Sequence, residues 1–184
     1  MIDLTKGLPN AIIGDDGEPI YLNTDYRFWI KFDYDIKQDD VERDISYLFK
    51  EDAPVITQDI WEQLKMFLYN PSATPNSDSS SEDKILDYIL DGDYIFSALY
   101  ATYGIDILET DMHWHKFQAL CNNIIGESTL WGYAKSVRGY QKSNKKDTID
   151  DKYSRAKKAW SFRKELSEEE QRQIKEFEDY FDGV

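Results

Sequence analysis

The chain has 184 residues, a length that suits one domain with or without an appendage. It carries 36 acidic and 22 basic residues, and the net charge of −14 argues against duplex DNA or an anionic membrane as the main partner. Aromatic residues make up 15% of the chain, and each buried ring removes roughly 150–250 Å² from water. A core can therefore form although 32% of the residues are charged.

The sequence predicts neither a signal peptide nor a membrane span. Its first residues show no basic region followed by an apolar run, and no apolar stretch approaches the roughly 20 residues that a bilayer requires. The single cysteine, Cys121, cannot form an internal disulfide, and its position on an apolar helical face predicts a buried thiol. We therefore expect a cytosolic protein.

The first predicted element is a β-hairpin over residues 8–22. Two short apolar runs, Ala11–Ile13 and Ile20–Leu22, flank an acidic turn that contains an Asp-Gly pair. The turn lacks the regular alternation of ligands found in an EF-hand loop, so we expect no calcium site there. A two-stranded hairpin is marginal by itself and should pack against helices.

The first predicted helix follows a cap at Asn23 or Thr24 and extends to about Gln38. Its aromatic and aliphatic residues recur every four positions, which is typical of an amphipathic helix. Asp33 and Asp35 fall mostly on the polar side, so solvated charge is a better interpretation than acid–base chemistry or Mg²⁺ binding.

A short helical turn is predicted near residues 45–49, and a second helix is predicted between a cap at Thr57 and the Asn70-Pro71 pair. Residues 70–83 are rich in Ser, Pro and Asp and predict a flexible insertion within one core. Residues 83–92 fit either a strand or a helix. The next helix is predicted to begin with the sequence Asp-Gly-Asp-Tyr and to end at Gly104.

Two short helices joined by a tight corner are predicted over residues 111–140. Thr110 or Asp111 can cap the first helix, Gly126 can end it in a left-handed conformation, and Ser128 or Thr129 can cap the second. The apolar stripe of the first helix consists of Trp114, Phe117, Cys121 and Ile124. Two tryptophans so close in sequence indicate a buried helical pair and not a catalytic loop.

Histidines occur at two positions of this segment, His113 and His115. Residues two apart on a helix point to different sides, and no further histidine or cysteine pair exists to complete a zinc site. No serine or cysteine stands beside either ring at a spacing typical of nucleophilic catalysis. We expect His115 and Lys135 to face outward, where they are candidates for contact with a partner.

Charge is unevenly distributed along the chain. Residues 135–164 hold 11 Lys/Arg and 3 Asp, a net +8, so the remainder carries −22. A basic helix is predicted over residues 149–164, and an acidic helix is predicted after a capping box at Ser167. The basic helix can be a solvated face, can pair with the acidic helix, or can bind RNA or single-stranded DNA through its aromatic residues.

The acidic helix carries an apolar stripe that either docks on the body of the protein or contacts a partner. Candidate partner-binding residues on this stripe are Ile174, Phe177 and Phe181.

Three stretches of the chain resemble a tail-assembly-chaperone family of siphophages and prophages from low-GC Gram-positive bacteria. They are residues 23–32 (NTDYRFWIKF), residues 93–106 (DYIFSALYATYGID) and residues 112–120 (MHWHKFQAL). The positions that match the family and are expected to be structural are Asp25, Trp29, Phe32, Tyr94, Gly104, His113, Trp114 and Phe117. This chain departs from the family pattern at His115, where a second tryptophan is usual, and after Asp147.

The resemblance implies a non-enzymatic protein whose gene lies beside the tape-measure gene. Such a protein binds the tape-measure protein in the host cytoplasm, keeps it soluble until the tail tube polymerises, and is absent from the mature virion. Further candidate partners are the tail-tube protein and a frameshifted form of the chaperone. The resemblance implies no cofactor.

Together these observations predict a mainly α (α+β) fold. We expect residues 1–140 to form a single helical domain with an N-terminal β-hairpin and the insertion at 70–83, followed by a basic-then-acidic helical extension at 141–184. No nucleophile, phosphate loop or metal set predicts an enzyme. The alternative to a chaperone is a nucleic-acid-binding phage regulator that uses residues 135–164.

Overall fold

The computed structural model describes residues 5–37, 44–69, 85–126, 128–141, 148–162 and 168–182. These ranges contain a two-stranded antiparallel hairpin, one 3-10 turn and seven α-helices, which confirms the predicted mainly α fold with a small β component. None of the helices in these ranges is long and apolar enough to cross a membrane. The elements are β1 (Ala11–Ile13), β2 (Pro19–Tyr21), α1 (Tyr26–Lys37), the 3-10 turn (Ser46–Leu48), α2 (Gln58–Tyr69), α3 (Gly92–Tyr103), α4 (Trp114–Asn123), α5 (Leu130–Arg138), α6 (Thr148–Trp160) and α7 (Glu168–Asp182).

The chain divides into two compact units. Unit 1 consists of Met1–Asp78 and Asp111–Ala119, and unit 2 consists of Ser79–Thr110 and Leu120–Val184. The division falls inside α4, so the two halves of this helix belong to different units. The predicted domain over residues 1–140 and its extension stay a prediction, and the predicted insertion lies outside the described residues.

The predicted hairpin is confirmed in unit 1. Ile12 lies opposite Ile20, and the turn contains Gly17 at a φ of +85°, a backbone conformation that glycine adopts without steric cost. The side-chain amide of Gln63, on α2, donates to the carbonyl of Ile13 (2.8 Å) and accepts from its N–H (2.9 Å). The free edge of β1 is therefore satisfied by a helix, which stabilises a hairpin that would be marginal in isolation.

The N-terminus of α1 is capped by a residue other than those predicted. Oδ1 of Asp25 accepts from the N–H of Arg27 at 3.0 Å. Asn23 lies too far from the first turn to cap a helix that begins at Tyr26, and its amide instead donates to the carbonyls of Tyr47 (2.7 Å) and Phe49 (3.0 Å). The prediction of a cap at Asn23 or Thr24 was therefore wrong by one or two residues.

The expectation that Asp33 and Asp35 are solvated is wrong, because both are buried. Asp35 lies 3.2 Å from Nζ of Lys31 and accepts a hydrogen bond of 2.7 Å from the hydroxyl of Tyr47. Asp33 pairs with Lys37. The 3-10 turn carries Tyr47 and packs against the side of α1 that bears Asp35. It excludes water from a helix face that the sequence predicts to be polar.

Unit 2 confirms several predicted helix boundaries. Gly104 ends α3 with a φ of +67°, and the hydroxyl of Thr129 accepts from the N–H of Gly132 at 3.0 Å to cap α5. Gly126 has the predicted left-handed conformation, with a φ of +73°, but α4 already ends at Asn123. In the described part of the ambiguous stretch before α3, residues 85–87 are irregular and residues 88–91 form a turn, with neither a strand nor a helix.

A buried ion pair connects three segments of unit 2. Arg138, at the end of α5, places Nη1 at 2.9 and 2.7 Å from the two carboxylate oxygens of Asp91, the residue that precedes α3. Its Nε donates to the carbonyl of Trp160 at the end of α6 (2.7 Å), and its guanidinium carbon lies 3.9 Å from the centroid of the Phe162 ring. The side chains of Arg138 and Asp91 are only 7% and 1% exposed.

Replacing Arg138 should strongly destabilise the chain. R138M leaves the buried carboxylate of Asp91 without its cation, and we expect the free energy of unfolding in urea to fall by about 3–5 kcal/mol. R172M, which removes an exposed partner of Glu169 on α7, should change that free energy by less than about 1 kcal/mol. The double variant R138M/D91L should recover much of the loss, since it also removes the unpaired charge. Equal losses for R138M and R172M would contradict this role of the pair.

Candidate partner-binding sites

Three side chains of α4 satisfy the last carbonyls of α2. The carbonyl of Leu68 accepts from Nε1 of Trp114 (2.8 Å) and from Nε2 of Gln118 (2.9 Å), and the carbonyl of Phe67 accepts from Nε2 of His115 (2.8 Å). Both carbonyls belong to the final turn of α2, where the helix offers no backbone donor. The start of α4 is therefore a cap for the end of α2.

The expectation that His115 faces outward is wrong. The residue is 7% exposed, and its ring centroid lies 4.4 Å from that of Phe67. Trp114 and Gln118 of α4 also turn toward the end of α2, because that end presents two carbonyls in need of donors. The exposure that made His115 a candidate for partner contact is absent.

His113 caps α4 with its ring, so the predicted cap at Thr110 or Asp111 is wrong. Its Nδ1 accepts from the N–H of His115 at 3.1 Å, which leaves the ring proton on Nε2 to be donated to the carbonyl of Pro9 at 2.8 Å. Burial lowers the pKa of His113, and the Pro9 carbonyl opposes that change. Burial also lowers the pKa of His115. Both effects favour the neutral imidazole, which Nδ1 of His113 requires in order to accept a hydrogen bond.

The beginnings of α1 and α4 are joined by backbone hydrogen bonds. The N–H of Tyr26 donates to the carbonyl of Met112 (2.9 Å), and the N–H of Trp114 donates to the carbonyl of Thr24 (2.7 Å). Oδ2 of Asp25 accepts from the N–H of Met112 at 3.2 Å. Two of the stretches that resemble the chaperone family thus meet in unit 1 although about 85 residues separate them in sequence.

The other motif residues of unit 1 build its aromatic core. Trp29 is fully buried, donates from Nε1 to the carbonyl of Asn23 (2.8 Å) and stacks on Phe67. Phe32 meets the Trp29 ring edge-on, and Phe117 is buried nearby. In unit 2, Gly104 has the C-terminal role already described and Tyr94 contacts Trp160.

Lys135, predicted to face outward, is half-buried and engaged inside unit 2. Its Nζ donates to the carbonyl of Cys121 at 2.9 Å and lies 4.0 Å from the centroid of the Trp131 ring. Burial lowers the pKa of Lys135. Burial also raises the pKa of the Cys121 thiol to about 12, so this thiol is protonated and unreactive at neutral pH.

The basic helix α6, which belongs to unit 2, packs its aromatic residues against other parts of that unit. Tyr153 stacks on Tyr140 with centroids 5.0 Å apart, and Trp160 contacts the rings of Tyr94 and Tyr133. Lys157 donates to the carbonyl of Tyr140 at 2.9 Å. The exposed basic residues of this helix are Lys152, Arg155 and Lys158.

The apolar stripe of α7 is only partly covered. Phe181 is 9% exposed and meets Phe177 edge-on at 5.2 Å, whereas Ile174 and Phe177 are partly exposed and Tyr180 is exposed. The role of this stripe in partner binding stays a prediction.

The structure also exposes apolar side chains that the sequence reasoning did not single out. The helical residues among them are Met66, Tyr69 and Tyr100. Leu130, at the start of α5, is exposed as well. Tyr100 could have been found from its spacing, because it follows Asp93 and Phe96 by seven and four positions on the side of α3 opposite to its buried residues. No group of three or more metal-ligating side chains comes together within the described ranges.

A protein-family model described as Bacteriophage Gp15 protein matches residues 30–162 of the chain. The match extends from α1 to the segment after α6 and therefore covers well over half of the sequence. No curated protein and no solved structure gives a significant match.

The two donors to the Leu68 carbonyl should show strong coupling in a double-mutant cycle. W114F removes one donor and some ring volume, and should cost about 1–3 kcal/mol of unfolding free energy. Q118L should cost less, because Trp114 still serves the carbonyl and Oε1 of Gln118 is buried without a partner among the described residues. The double variant should lose at least about 1 kcal/mol more than the sum, since the buried carbonyl then has no donor. Simple additivity in urea unfolding would contradict the shared cap.

Acid should weaken unit 1 through His113. Burial lowers the pKa of this residue in the folded chain, so the unfolded chain binds a proton first as the pH falls. The neutral ring of His113 therefore contributes its full stabilisation above about pH 6.5. This contribution decreases as the pH falls through the pKa of the unfolded chain toward the lower pKa of the folded chain. H113N retains a capping acceptor but does not titrate. Its free energy of unfolding should fall less than that of the wild type between about pH 7 and pH 5, and parallel pH curves would contradict the assignment.

Proposed function

The chain belongs to the bacteriophage Gp15 protein family, and from this premise we propose that it is a non-enzymatic tail-assembly chaperone. In this role it binds the tape-measure protein in the host cytoplasm and keeps it soluble until the tail tube polymerises around it. The chaperone is then displaced and is absent from the mature virion. The resemblance of three stretches to chaperones encoded beside tape-measure genes supports this choice within a phage family.

The observation that carries the proposal is the exposure of large apolar side chains on a strongly acidic chain. Tyr100 and Leu130 are each more than half exposed on two different helices, while the net charge is −14. Apolar groups can cover the apolar face of a client helix, and the acidic charge can keep the complex soluble. Scattered contacts of modest area favour fast dissociation, which a protein that must later be displaced requires.

The polar chemistry inside the chain supports a non-enzymatic role. The Cys121 thiol is held protonated by burial, and both histidine rings are hydrogen-bonded to main-chain groups. These interactions stabilise the fold and do not leave the groups poised for proton transfer or nucleophilic attack.

Nucleic-acid binding through residues 135–164 is less well supported. Stacking on bases requires accessible rings, but Tyr153, Trp160 and Phe162 each pack against another side chain of unit 2. Three exposed basic residues remain on α6. A gel shift with single-stranded DNA or RNA at low salt would reveal binding through their charge.

Co-expression with fragments of the tape-measure protein tests the proposed function. We expect a larger soluble fraction of the fragment and a complex that co-purifies with the chain. A variant with exposed apolar residues replaced, Y100S/L130S, should lose most of this effect while remaining folded, because these side chains contribute little to the core. A variant with exposed charges replaced, K152S/R155S/K158S, serves as the control. Equal insolubility of every fragment with and without the wild-type chain, and no complex, would contradict the proposal.

A further inference from the structure

One side of α3 carries an exposed aromatic pair next to an acidic residue. Asp93, Phe96 and Tyr100 are spaced by three and four positions and share this side, whereas Ile95 and Leu99 are buried on the opposite side. Tyr100 is 56% exposed, and Phe96 is partly exposed. We call the side of α3 formed by Asp93, Phe96, Ser97, Tyr100 and Ala101 the α3 face.

The two rings of the α3 face form a preorganised contact surface. Their centroids lie 6.1 Å apart and their planes are inclined by 21°. Each ring restricts the other, so less side-chain entropy remains to be lost when a partner binds. The neighbouring Ser97 and Ala101 are exposed and small, which allows the backbone of a partner helix to approach beside the rings.

The segment that carries α3 has charge of one sign. Residues 85–110 contain five acidic residues and no Lys, Arg or His. Three of the five act within the fold: Asp91 pairs with Arg138, Asp87 accepts from the N–H groups of Ile89 and Leu90, and Asp106 accepts from the N–H of Leu108. Asp93 lies in the first turn of α3 and is exposed, as is Glu109. A partner of this surface should therefore be basic beside its apolar residues.

We propose that the α3 face binds an amphipathic helix whose apolar stripe is flanked by Lys or Arg. The aromatic pair would anchor the stripe, and Asp93 would pair with a flanking cation. Twelve residues make α3 about 18 Å long, enough to contact roughly three turns of a partner helix. The identification of that helix as a segment of the tape-measure client rests on the proposed chaperone function.

Helix α2 supplies matched controls inside the same chain. It also has twelve residues, with Asp59 at its second position and Met66 at its ninth, the positions that Asp93 and Tyr100 occupy in α3. Met66 is 63% exposed and Asp59 is exposed. Beside them, Lys65 and Glu62 form an ion pair, so that surface is not uniformly acidic. Each substitution in α2 therefore changes the net charge by the same amount, and at the same helix position, as its counterpart in α3.

The probe is a fluorescein-labelled peptide of about 18 residues, made of leucine in a helical stripe with lysine elsewhere. A second peptide with glutamate in place of lysine tests the charge requirement. Fluorescence anisotropy with the full chain should show that the lysine peptide binds about tenfold more tightly than the glutamate peptide at low salt. Added salt should reduce that difference, because it screens exposed charges.

Variants locate the binding to α3. Y100S should weaken binding of the lysine peptide by about tenfold, as expected for loss of an aromatic anchor, whereas M66S should change it by less than about twofold. D93K should weaken binding by about fivefold at low salt and strengthen binding of the glutamate peptide. D59K should do neither. Equal effects of Y100S and M66S, or of D93K and D59K, would overturn the proposed site, because they would indicate binding without a preference for α3. Circular dichroism verifies that each variant is folded.

The same variants separate this inference from the chaperone function. If wild-type chain holds tape-measure fragments in solution and Y100S and D93K do so equally well, the function stands and the α3 face is not the client site. If the α3 variants bind the peptides with altered affinity but no tape-measure fragment is bound, the binding site stands and the proposed client is wrong.

Discussion

The end of α2 depends on donors that another helix provides. The last carbonyls of any helix lack backbone partners, and leaving them buried without donors costs about 1–3 kcal/mol each. In this chain Trp114, His115 and Gln118 supply three donors to two such carbonyls. The side chains that α4 needs at these positions are therefore set by carbonyls that lie about 45 positions earlier in the sequence. The histidine and tryptophan of α4 both pack in the core and cap α2. This requirement explains why Asp111–Ala119 belongs to the same compact unit as the N-terminal hairpin, α1 and α2.

Unit 2 depends on a comparable polar contact between distant segments. Arg138 can be buried because Asp91 neutralises it and two backbone carbonyls accept from its Nε and Nη1. The main contribution of such a pair is geometric, since its members must be placed within tenths of an ångström to offset the loss of water. It thereby aligns the start of α3 with the ends of α5 and α6, and the aromatic contacts of Trp160 complete the packing of α6.

These internal contacts also decide which parts of the surface remain for a partner. Several titratable side chains point inward and form hydrogen bonds with main-chain groups, whereas several large apolar side chains are exposed. Basic residues of α6 divide between the two roles, since Lys157 bonds the chain and Lys152, Arg155 and Lys158 are exposed. A surface of this kind supports the proposed role, in which apolar contacts hold another protein.

The sequence by itself determined the features that depend on neighbours within about one helical turn. These include the amphipathic helices, the Asp-Gly hairpin turn, the left-handed Gly104 and Gly126, and the cap at Thr129, because periodicity and φ preference act locally. Only the tertiary structure decided the environment of polar residues. The sequence predicts that Asp35, His115 and Lys135 are exposed, yet each forms a hydrogen bond with a group on another segment and is at least half-buried. A polar side chain can be buried when a distant group satisfies it, and no local pattern records where that group will lie.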